Sequence, residues 1–367
     1  MLKSDKKIVA VRSLTHQDHA SNIPPNVLNV NWNVGKRCNY DCSYCNHMTH
    51  DAVSPFINQS DALSAIDQLY HQVHPLGKTI DWAFTGGEPF LDPSFILMIE
   101  KINSYQTDKR ITVSTNGSLP LSTYLNASQY ISNITITIHP ERSALEIART
   151  VHTIKELNKL PDLMLSVTVM LLPGNIAAAK SILDDLTSAG VNTILRKIRP
   201  PTELHPFVYI SPSKKERVLL DVEGQVNMRL TSRLLHDQQT SSKENAYYSE
   251  EDLSFLEYYY SKESSWKNMG VWYEDGDYSE INSDELLSKN RHTFKDWICF
   301  AGVDALYIDF DGSVYRGNCY MNGAIGHIKD TVVFVKHPIK CKLNWCTCNA
   351  DMTVRKASKT IYLKQIT

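Results

Sequence analysis

The amino-acid sequence predicts an α/β fold built around a parallel sheet. Six short β-rich runs occur between residues 28 and 199, and segments with apolar residues at helical spacing separate them. Strands that alternate with helices in this way indicate right-handed βαβ crossovers. Six such units form either a doubly wound sheet or an incomplete (βα) barrel, and in both folds the functional groups follow the carboxyl ends of the strands.

The predicted elements follow one another in a regular order. The strands are LNVNWNV (28–34), IDWAF (80–84), RITVS (110–114), ITITI (134–138), LSVTVML (165–171) and TILRKIR (193–199). Helical periodicity predicts helices at 62–73, 96–102 and 147–154, and a further helix around Leu183 and Leu186. Gly190 follows this last helix and is expected to end it, because glycine adopts the left-handed backbone common after helices.

The regular pattern stops near Pro200, which suggests four segments. They are an N-terminal extension (1–27), the βα units (28–204), a bridging or substrate-covering insert (205–290) and a small C-terminal domain of β-hairpin and helix (291–367). The insert is equally consistent with a plain linker.

Three local patterns stand out beyond the βα units. Residues 248–260 predict a surface helix with Ser249 as N-cap, and 271–276 predict a strand that runs into a turn. Residues 305–317 predict a β-hairpin with Asp311-Gly312 at its turn.

Composition and charge restrict the classes of function. The chain is 42% hydrophobic and 21% charged, with a formal charge of −2, so no global basic field points to nucleic acid. No N-terminal apolar stretch is long enough for a signal peptide, and no run approaches the length of a membrane span. We therefore expect a cytoplasmic protein without a membrane partner, in which clustered reduced cysteines indicate metal or redox chemistry.

Three of the 8 cysteines, Cys38, Cys42 and Cys45, lie in the stretch CNYDCSYC directly after the first predicted strand. A zinc site closes with four ligands, and His47 or His50 is a candidate fourth ligand. Thiolates are also the usual ligands of iron–sulfur clusters, and three of them would leave one iron of a four-iron cluster open. The two interpretations differ in whether a non-protein ligand completes the site.

The segments after the first four predicted strands resemble one known family. CNYDCSYC resembles the CxxxCxΦC signature of the radical S-adenosylmethionine (SAM) superfamily, with Tyr44 as the aromatic residue. GGEP at 86–89, STNG at 114–117 and the strand ending ITIHPE also resemble segments of that family, in the same order. The resemblance implies a partial, TIM-like (βα)6 barrel.

The resemblance also implies a chemistry. A [4Fe-4S] cluster on Cys38, Cys42 and Cys45 would bind SAM through its open iron. One electron from the reduced cluster would cleave SAM to methionine and a 5′-deoxyadenosyl radical, which abstracts a hydrogen atom from a carbon of the substrate.

Residue roles follow from the same resemblance. The two glycines of GGEP let the backbone approach the SAM amino group, and Glu88 accepts a hydrogen bond from that ammonium. The alternative explanation for the glycines is a tight turn. Arg196 and Arg199 are candidates to bind a carboxylate or phosphate, and the alternative for them is surface ion pairs. The candidate cofactor-binding residues are Tyr44, Gly86, Gly87, Glu88, Pro89, Ser114, Thr115, Asn116, His139 and Arg196.

The other five cysteines all follow residue 290 and resemble the SPASM or shorter twitch extension of the same superfamily, which carries auxiliary clusters. They are Cys299, Cys319, Cys341, Cys346 and Cys348. Five cysteines fit one auxiliary [4Fe-4S] cluster better than two, although six residues separate Gly312 from Cys319 where four are typical. Four ligands leave one thiol spare, a candidate hydrogen-atom donor or an inert thiol among the last three. A zinc site is the alternative.

The leading functional prediction is a radical SAM enzyme that epimerises, cross-links or rearranges a peptide or an amino-acid-derived group. About 27 residues precede the first predicted strand, too few for the leader-binding domain of many peptide-modifying relatives. We therefore keep two alternatives. One is a radical isomerase or modifier of an amino-acid-decorated nucleotide or DNA base, and the other is a non-catalytic Fe–S or zinc scaffold. An external one-electron donor such as flavodoxin or ferredoxin is the expected partner.

Overall fold

The protein is represented by a computed structural model. It describes residues 2–3, 5–14, 26–42, 44–45, 50–105, 110–198, 208–210, 217–219, 248–262, 267–283, 285–286, 289, 291–330, 332, 334–346 and 348–366. Among these residues, no helix is both long enough and apolar enough to cross a bilayer.

Six parallel strands in sequential order make up one side of a nine-stranded sheet, from its middle to one edge. They are β2 (Val27–Asn33), β3 (Thr79–Thr85), β4 (Ile111–Thr115), β5 (Asn133–Ile138), β6 (Met164–Leu171) and β7 (Asn192–Lys197). A doubly wound sheet would reverse its strand order after the first strands, and this sheet does not. The α/β prediction is confirmed, and the sequential order is consistent with a partial barrel.

Helices connect the parallel strands and bury one apolar face each. They are α1 (Gln59–Val73), α2 (Phe95–Tyr105), α3 (Leu121–Ser128), α4 (Ala144–Leu157) and α5 (Ile176–Ser188). Helix α4 begins with a reciprocal capping box between Ser143 and Glu146, and Gly190 follows α5 with φ 72°, as predicted. Helix α3 was not predicted from the sequence, because its Ser, Thr and Asn residues have weak helix propensity. Its buried face is supplied by Tyr124 and Ala127.

The C-terminal hairpin extends this sheet. Strands β13 (Ala305–Ile308) and β14 (Ser313–Tyr315) pair antiparallel on either side of the predicted turn, where Gly312 has φ 85°. Strand β15 (Ala324–His327) pairs with β14, and β13 lies parallel to β2. Residues that follow β13 therefore lie at the same sheet edge as residues that follow β2.

A second, six-stranded sheet joins the two ends of the chain. Its order is β11 (Tyr278–Ile281), β10 (Met269–Tyr273), β1 (Ile8–Ser13), β17 (Lys356–Ala357), β12 (Ile298–Cys299) and β16 (Ile339–Lys340). The prediction that the first strand is 28–34 is wrong, because β1 precedes it. The run IVAVRS is short and preceded by two lysines, yet burial of Val9, Ala10 and Val11 drives it into this sheet.

The remaining described elements lie beside these sheets. Helix α6 (Glu250–Lys262) begins at the predicted N-cap, since Asp252 N donates to Ser249 Oγ at 3.1 Å. It packs on the main core through Leu256, and Tyr248 Oη donates to the carbonyl oxygens of Leu171 and Ile198. Strands β8 (Val208–Ile210) and β9 (Arg217–Leu219) pair antiparallel, and α7 (Asn349–Met352) lies near the C-terminus. The predicted strand and turn at 271–276 are confirmed by β10.

Candidate functional site

The first three cysteines lie on the loop that leaves the carboxyl end of β2. Cys38 N donates to the carbonyl oxygen of Asp51 at 2.7 Å, and Cys45 N donates to that of Cys42 at 3.0 Å. Arg37 forms an isolated bridge with Asp51. The loop is thus held at both ends by its own backbone, at the sheet edge where the sequence analysis expected it.

The two glycines after β3 pack against this loop with no space for a side chain. Gly87 N donates to the carbonyl oxygen of Gly35, and Glu88 N donates to that of Arg37, both at 2.9 Å. A Cβ atom on Gly87 would lie 2.3 Å from Arg37 O and 2.4 Å from Lys36 O. Glycine is required here by close backbone approach. Pro89 then opens a buried turn of 3₁₀-helix (Pro89–Leu91) that fixes the segment.

Glu88 is buried, and its carboxylate is aimed at the segment that follows β4. It accepts hydrogen bonds from Thr115 Oγ1 at 2.8 Å, from Asn116 N at 2.7 Å and from Phe90 N at 3.2 Å. Burial raises the pKa of this carboxyl to about 7, although its three hydrogen-bond donors favour the ionised form. Glu88 therefore connects the second strand end with the third.

Asn116 connects the third strand end with the cysteine loop. Its Nδ2 donates to Asn39 Oδ1 at 3.0 Å and lies 3.7 Å from Cys38 Sγ. Ser114 is half-buried on β4. Gly117 has φ 69°, which other residues rarely adopt, and it lets the chain turn directly after Asn116.

His139, which follows β5, contacts the cysteine loop from the other side. Its Nδ1 lies 2.7 Å from Tyr44 Oη and 3.4 Å from Cys42 Sγ. Its ring is stacked on the Tyr44 ring at a centroid distance of 6.0 Å and meets the Tyr40 ring edge-on. Burial and the Arg142 charge lower the pKa of His139 to about 4, so the neutral ring is the form present near neutral pH.

The three thiols of the cysteine loop lie near one another. Burial and then the charges of Cys42 and Cys38 raise the pKa of Cys45 to about 11, so the three sulfurs are close enough to act on one another. In the described ranges, no three His, Cys, Asp or Glu side chains lie close enough to bind one metal ion. Thiolates bind iron in four-iron clusters, and bound iron cations would offset the cost of burying three neighbouring thiolates.

The C-terminal cysteines gather around Lys356. Cys299 lies on β12 opposite Lys356 on β17, and Cys341 follows β16, with its N–H donating to the carbonyl oxygen of Trp297 at 2.8 Å. Burial raises the pKa of Cys319 well above its usual value, and the charges of Cys299 and Cys346 raise it further. Cys346 is buried, whereas Cys348 is half-buried and precedes α7. All five donors are thiols, which suits an iron–sulfur cluster or zinc.

Other candidates lie apart from these contacts or outside the described residues. Arg196 is half-buried near the carboxyl end of β7, while Arg199 and His47 are outside the described ranges. His50 is buried, and its Nε2 lies 3.7 Å from Asp41 Oδ1.

Several neighbours of the site were not predicted from the sequence. Asn39 donates to Ser118 Oγ at 2.8 Å in addition to its bond with Asn116. Asp309 follows β13, is buried, and accepts hydrogen bonds from Tyr307 Oη at 3.0 Å and Tyr320 Oη at 3.1 Å. The only sequence signal for Asp309 was its place after a strand, and the parallel pairing of β13 with β2 was needed to bring it to this edge.

Part of the chain matches a known protein family. Residues 32–186 match the family model of the radical SAM superfamily. The chain contains a radical SAM domain. Its span includes the cysteine loop, GGEP, STNG and His139. Enzymes of this superfamily use a [4Fe-4S] cluster and S-adenosylmethionine.

Individual proteins are similar to the chain either over a short segment or at low sequence identity. A GTP 3′,8-cyclase from Trichodesmium erythraeum (strain IMS101) is 37% identical over 86 residues, 23% of this chain and 25% of that protein, so the match spans a quarter of the relative's length. The structure of anSMEcpe with bound AdoMet is 14% identical, covers 83% of this chain and 78% of its own, and has a TM-score of 0.47. Streptococcus suis SuiB bound to precursor peptide SuiA is 12% identical, with coverages of 83% and 63% and a TM-score of 0.46.

Glu88 is expected to make stability depend on pH. Its folded-state pKa of about 7 lies above the usual 4.5, so the folded state retains a proton that the unfolded state has lost. The free energy of unfolding should therefore fall as the pH rises from about 4.5 through 7, by up to about 3 kcal/mol for this one buried group. Urea unfolding at several pH values measures this dependence, and the difference between the wild type and Glu88→Gln isolates it. A difference that stays constant from pH 5 to 8 would contradict the assignment.

Proposed function

We propose that this protein is a radical SAM enzyme with one auxiliary iron–sulfur cluster. One observation carries the proposal: the segments after three successive strands are bonded to one another through Glu88 and Asn116, and the last bond reaches Cys38. A zinc scaffold requires no such convergence of the GGEP and STNG segments on its cysteines. A SAM site requires it, because cluster and cofactor contacts must be held in one geometry.

The residues of the site have different proposed roles. Cys38, Cys42 and Cys45 would hold the [4Fe-4S] cluster, which would supply the electron for SAM cleavage and so the means of hydrogen-atom abstraction from the substrate. The backbone at 86–88 is the proposed contact to the SAM amino group, and its two glycines let it pack directly on the backbone of residues 35–37. The other groups, Ser114, Thr115, Asn116, Tyr44 and Arg196, remain the proposed contacts to ribose, adenine and carboxylate.

His139 takes a positioning role in this proposal. Its neutral ring lies between Tyr44 and the Cys42 sulfur, so it orients the loop that presents both the thiolate and the aromatic side chain.

The C-terminal cysteines are proposed to bind the auxiliary [4Fe-4S] cluster through Cys299, Cys319, Cys341 and Cys346. Cys299, Cys341 and Cys346 all act on Lys356, and Cys299 and Cys346 also act on Cys319, so these four thiols share one buried space. Cys348 is then the spare thiol and the candidate hydrogen-atom donor to a substrate radical.

The ligand assignment predicts different iron contents for two matched variants. Cys299→Ala should lower the iron content by up to about four irons per chain, because it removes one of the four ligands that close the auxiliary cluster. Cys348→Ala should retain all of its iron. Iron and acid-labile sulfide analysis after anaerobic reconstitution measures both. An equal loss of iron in the two variants would show that Cys348 is a ligand and would overturn the assignment.

A peptide or an amino-acid-derived group is the proposed substrate class, because auxiliary clusters of this type accompany large substrates in the family that the C-terminal segment resembles. A nucleotide substrate is the second candidate, supported by the similarity to a GTP 3′,8-cyclase. Consumption of GTP in a reaction with SAM and reductant, absent without SAM, would favour the second candidate. The electron donor is proposed to be a flavodoxin or ferredoxin, and the site of action the cytoplasm.

The proposed function is tested by SAM cleavage. The reconstituted protein, incubated anaerobically with SAM and dithionite, should release 5′-deoxyadenosine and methionine in equal amounts even without substrate. No 5′-deoxyadenosine from an iron-loaded protein would contradict the proposal, and zinc in place of iron at both cysteine groups would favour the scaffold alternative.

A further inference from the structure

A lysine ammonium group is enclosed among the C-terminal cysteines. Lys356 is 1% exposed, although lysine is almost never fully buried without a partner. Its Nζ donates to the carbonyl oxygens of Asp351, Met352 (3.2 Å) and Val354 (3.0 Å), which use all three of its hydrogens. The ammonium position is therefore fixed by the turn after α7.

The position of this group relative to the thiols is set by strand pairing. Lys356 on β17 is the direct antiparallel partner of Cys299 on β12. Directly opposed residues in such a pair have Cα atoms about 4.5–5.5 Å apart. The charges of Cys346, Cys299 and Cys341 all act on Lys356. The cation thus lies next to at least three of the four proposed cluster ligands.

The charge of Lys356 is not cancelled by the groups that bind it. Carbonyl oxygens are neutral, and a buried cation without an anionic partner is costly. Three carbonyl oxygens accept hydrogen bonds from Nζ, and only the charged ammonium has three hydrogens to donate. The group is therefore positively charged, and its neighbouring thiols and the Asp351 carboxyl are the groups that can offset the charge.

One carboxylate opposes this charge from the same turn. Asp351 is 5% exposed, and its Oδ1 accepts a hydrogen bond from Asn318 N at 2.9 Å. Its negative charge acts on Cys319, Cys299 and Cys346, the same thiols that surround the lysine. The cysteine group is consequently flanked by one fixed positive and one fixed negative charge, both out of water.

We propose that Lys356 raises the reduction potential of the auxiliary cluster and that Asp351 lowers it. The inference rests on the proposed auxiliary cluster. Reduction adds one negative charge to a cluster that already carries four thiolates, and a nearby buried cation stabilises the reduced form more than the oxidised form. A buried carboxylate has the opposite effect. Nearby charge and solvent exclusion are two of the means by which proteins set cluster potentials.

The test measures the auxiliary cluster alone, in the full-length chain. A Cys38/Cys42/Cys45→Ala background removes the first cysteine group and leaves about four irons if the auxiliary cluster exists. Lys356→Gln and Asp351→Asn are placed in this background. Each is reconstituted anaerobically and titrated with dithionite against redox mediators, with the reduced cluster followed by electron paramagnetic resonance.

The two substitutions should shift the potential in opposite directions. Lys356→Gln should lower it and Asp351→Asn should raise it, each by at least a tenfold change in the ratio of reduced to oxidised cluster, which is about 59 mV for one electron. Opposite shifts support the inference. If both variants retain about four irons and their reduction potential is unchanged, the inference is overturned while the auxiliary cluster itself stands.

Two further outcomes separate the inference from the function on which it rests. A background variant that binds no iron contradicts the auxiliary cluster itself. If Lys356→Gln cannot be loaded with iron, Asp351→Asn decides alone, because Asn keeps the acceptor for Asn318 N while it removes the charge. A raised potential then supports the inference, and an unchanged one overturns it.

Discussion

Replacing Cys42 by alanine abolishes SAM cleavage while the fold is retained. Cys42 is 2% exposed, and its Sγ lies 3.4 Å from His139 Nδ1. Loss of one of three ligands leaves the cluster open at two irons. Anaerobic assay of 5′-deoxyadenosine formation, with circular dichroism to follow the fold, gives the result directly.

The matched control is Cys42→Ser, which keeps the side-chain size and a hydrogen-bonding group toward His139 Nδ1. Both variants should lose all measurable 5′-deoxyadenosine formation and about four irons, because a hydroxyl is a poor ligand for iron in a cluster. Near wild-type cleavage by either variant would show that Cys42 does not bind the catalytic cluster.

Replacing Gly87 by alanine disrupts the cysteine loop, whereas Gly35→Ala does not. A Cβ on Gly87 would lie 2.3 Å from the carbonyl oxygen of Arg37, and the atoms that it would contact all belong to the backbone. A Cβ on Gly35, in the same pair of segments, would have no heavy atom within 4 Å. We expect Gly87→Ala to cost about 2 kcal/mol or more of unfolding free energy and to reduce iron at the first site.

The comparison is informative because both changes are glycine to alanine. Each removes similar conformational freedom from the unfolded chain, so the difference between them reports the clash in the folded state. Urea unfolding and iron analysis of the two variants measure it. Equal stability and iron content in both would show that the 86–88 segment does not pack on the cysteine loop as described.

Much of the first sheet and of its functional edge was predictable from the sequence. Periodicity of 2 and 3.6 residues located the six parallel strands, and motifs after strands located the cysteine loop, GGEP and STNG. Such features are local in the chain, so a local pattern is sufficient to find them. Helix α3 was missed because tertiary burial of Tyr124 overrides its weak helix propensity.

The long-range pairings were not predictable. Strand β1 lies between β10 and β17, more than 250 residues away in the chain, and nothing in IVAVRS specifies those partners. The parallel pairing of β13 with β2 likewise brings Asp309 to the site edge from a segment predicted as a separate domain. Lys356 is an ordinary lysine in the sequence, and only the pairing of β17 with β12 shows it beside Cys299. The predicted segment boundaries at 27, 204 and 290 remain predictions.

The most direct test of the account is iron and sulfide content with electron paramagnetic resonance, with and without SAM, for the wild type beside Cys38/Cys42/Cys45→Ala. The account predicts about eight irons in the wild type, about four in the variant, and a SAM-dependent change of the signal in the wild type alone. An iron-loaded wild type whose signal does not respond to SAM, or a variant that still responds, would contradict the claim that these three cysteines hold a SAM-binding cluster.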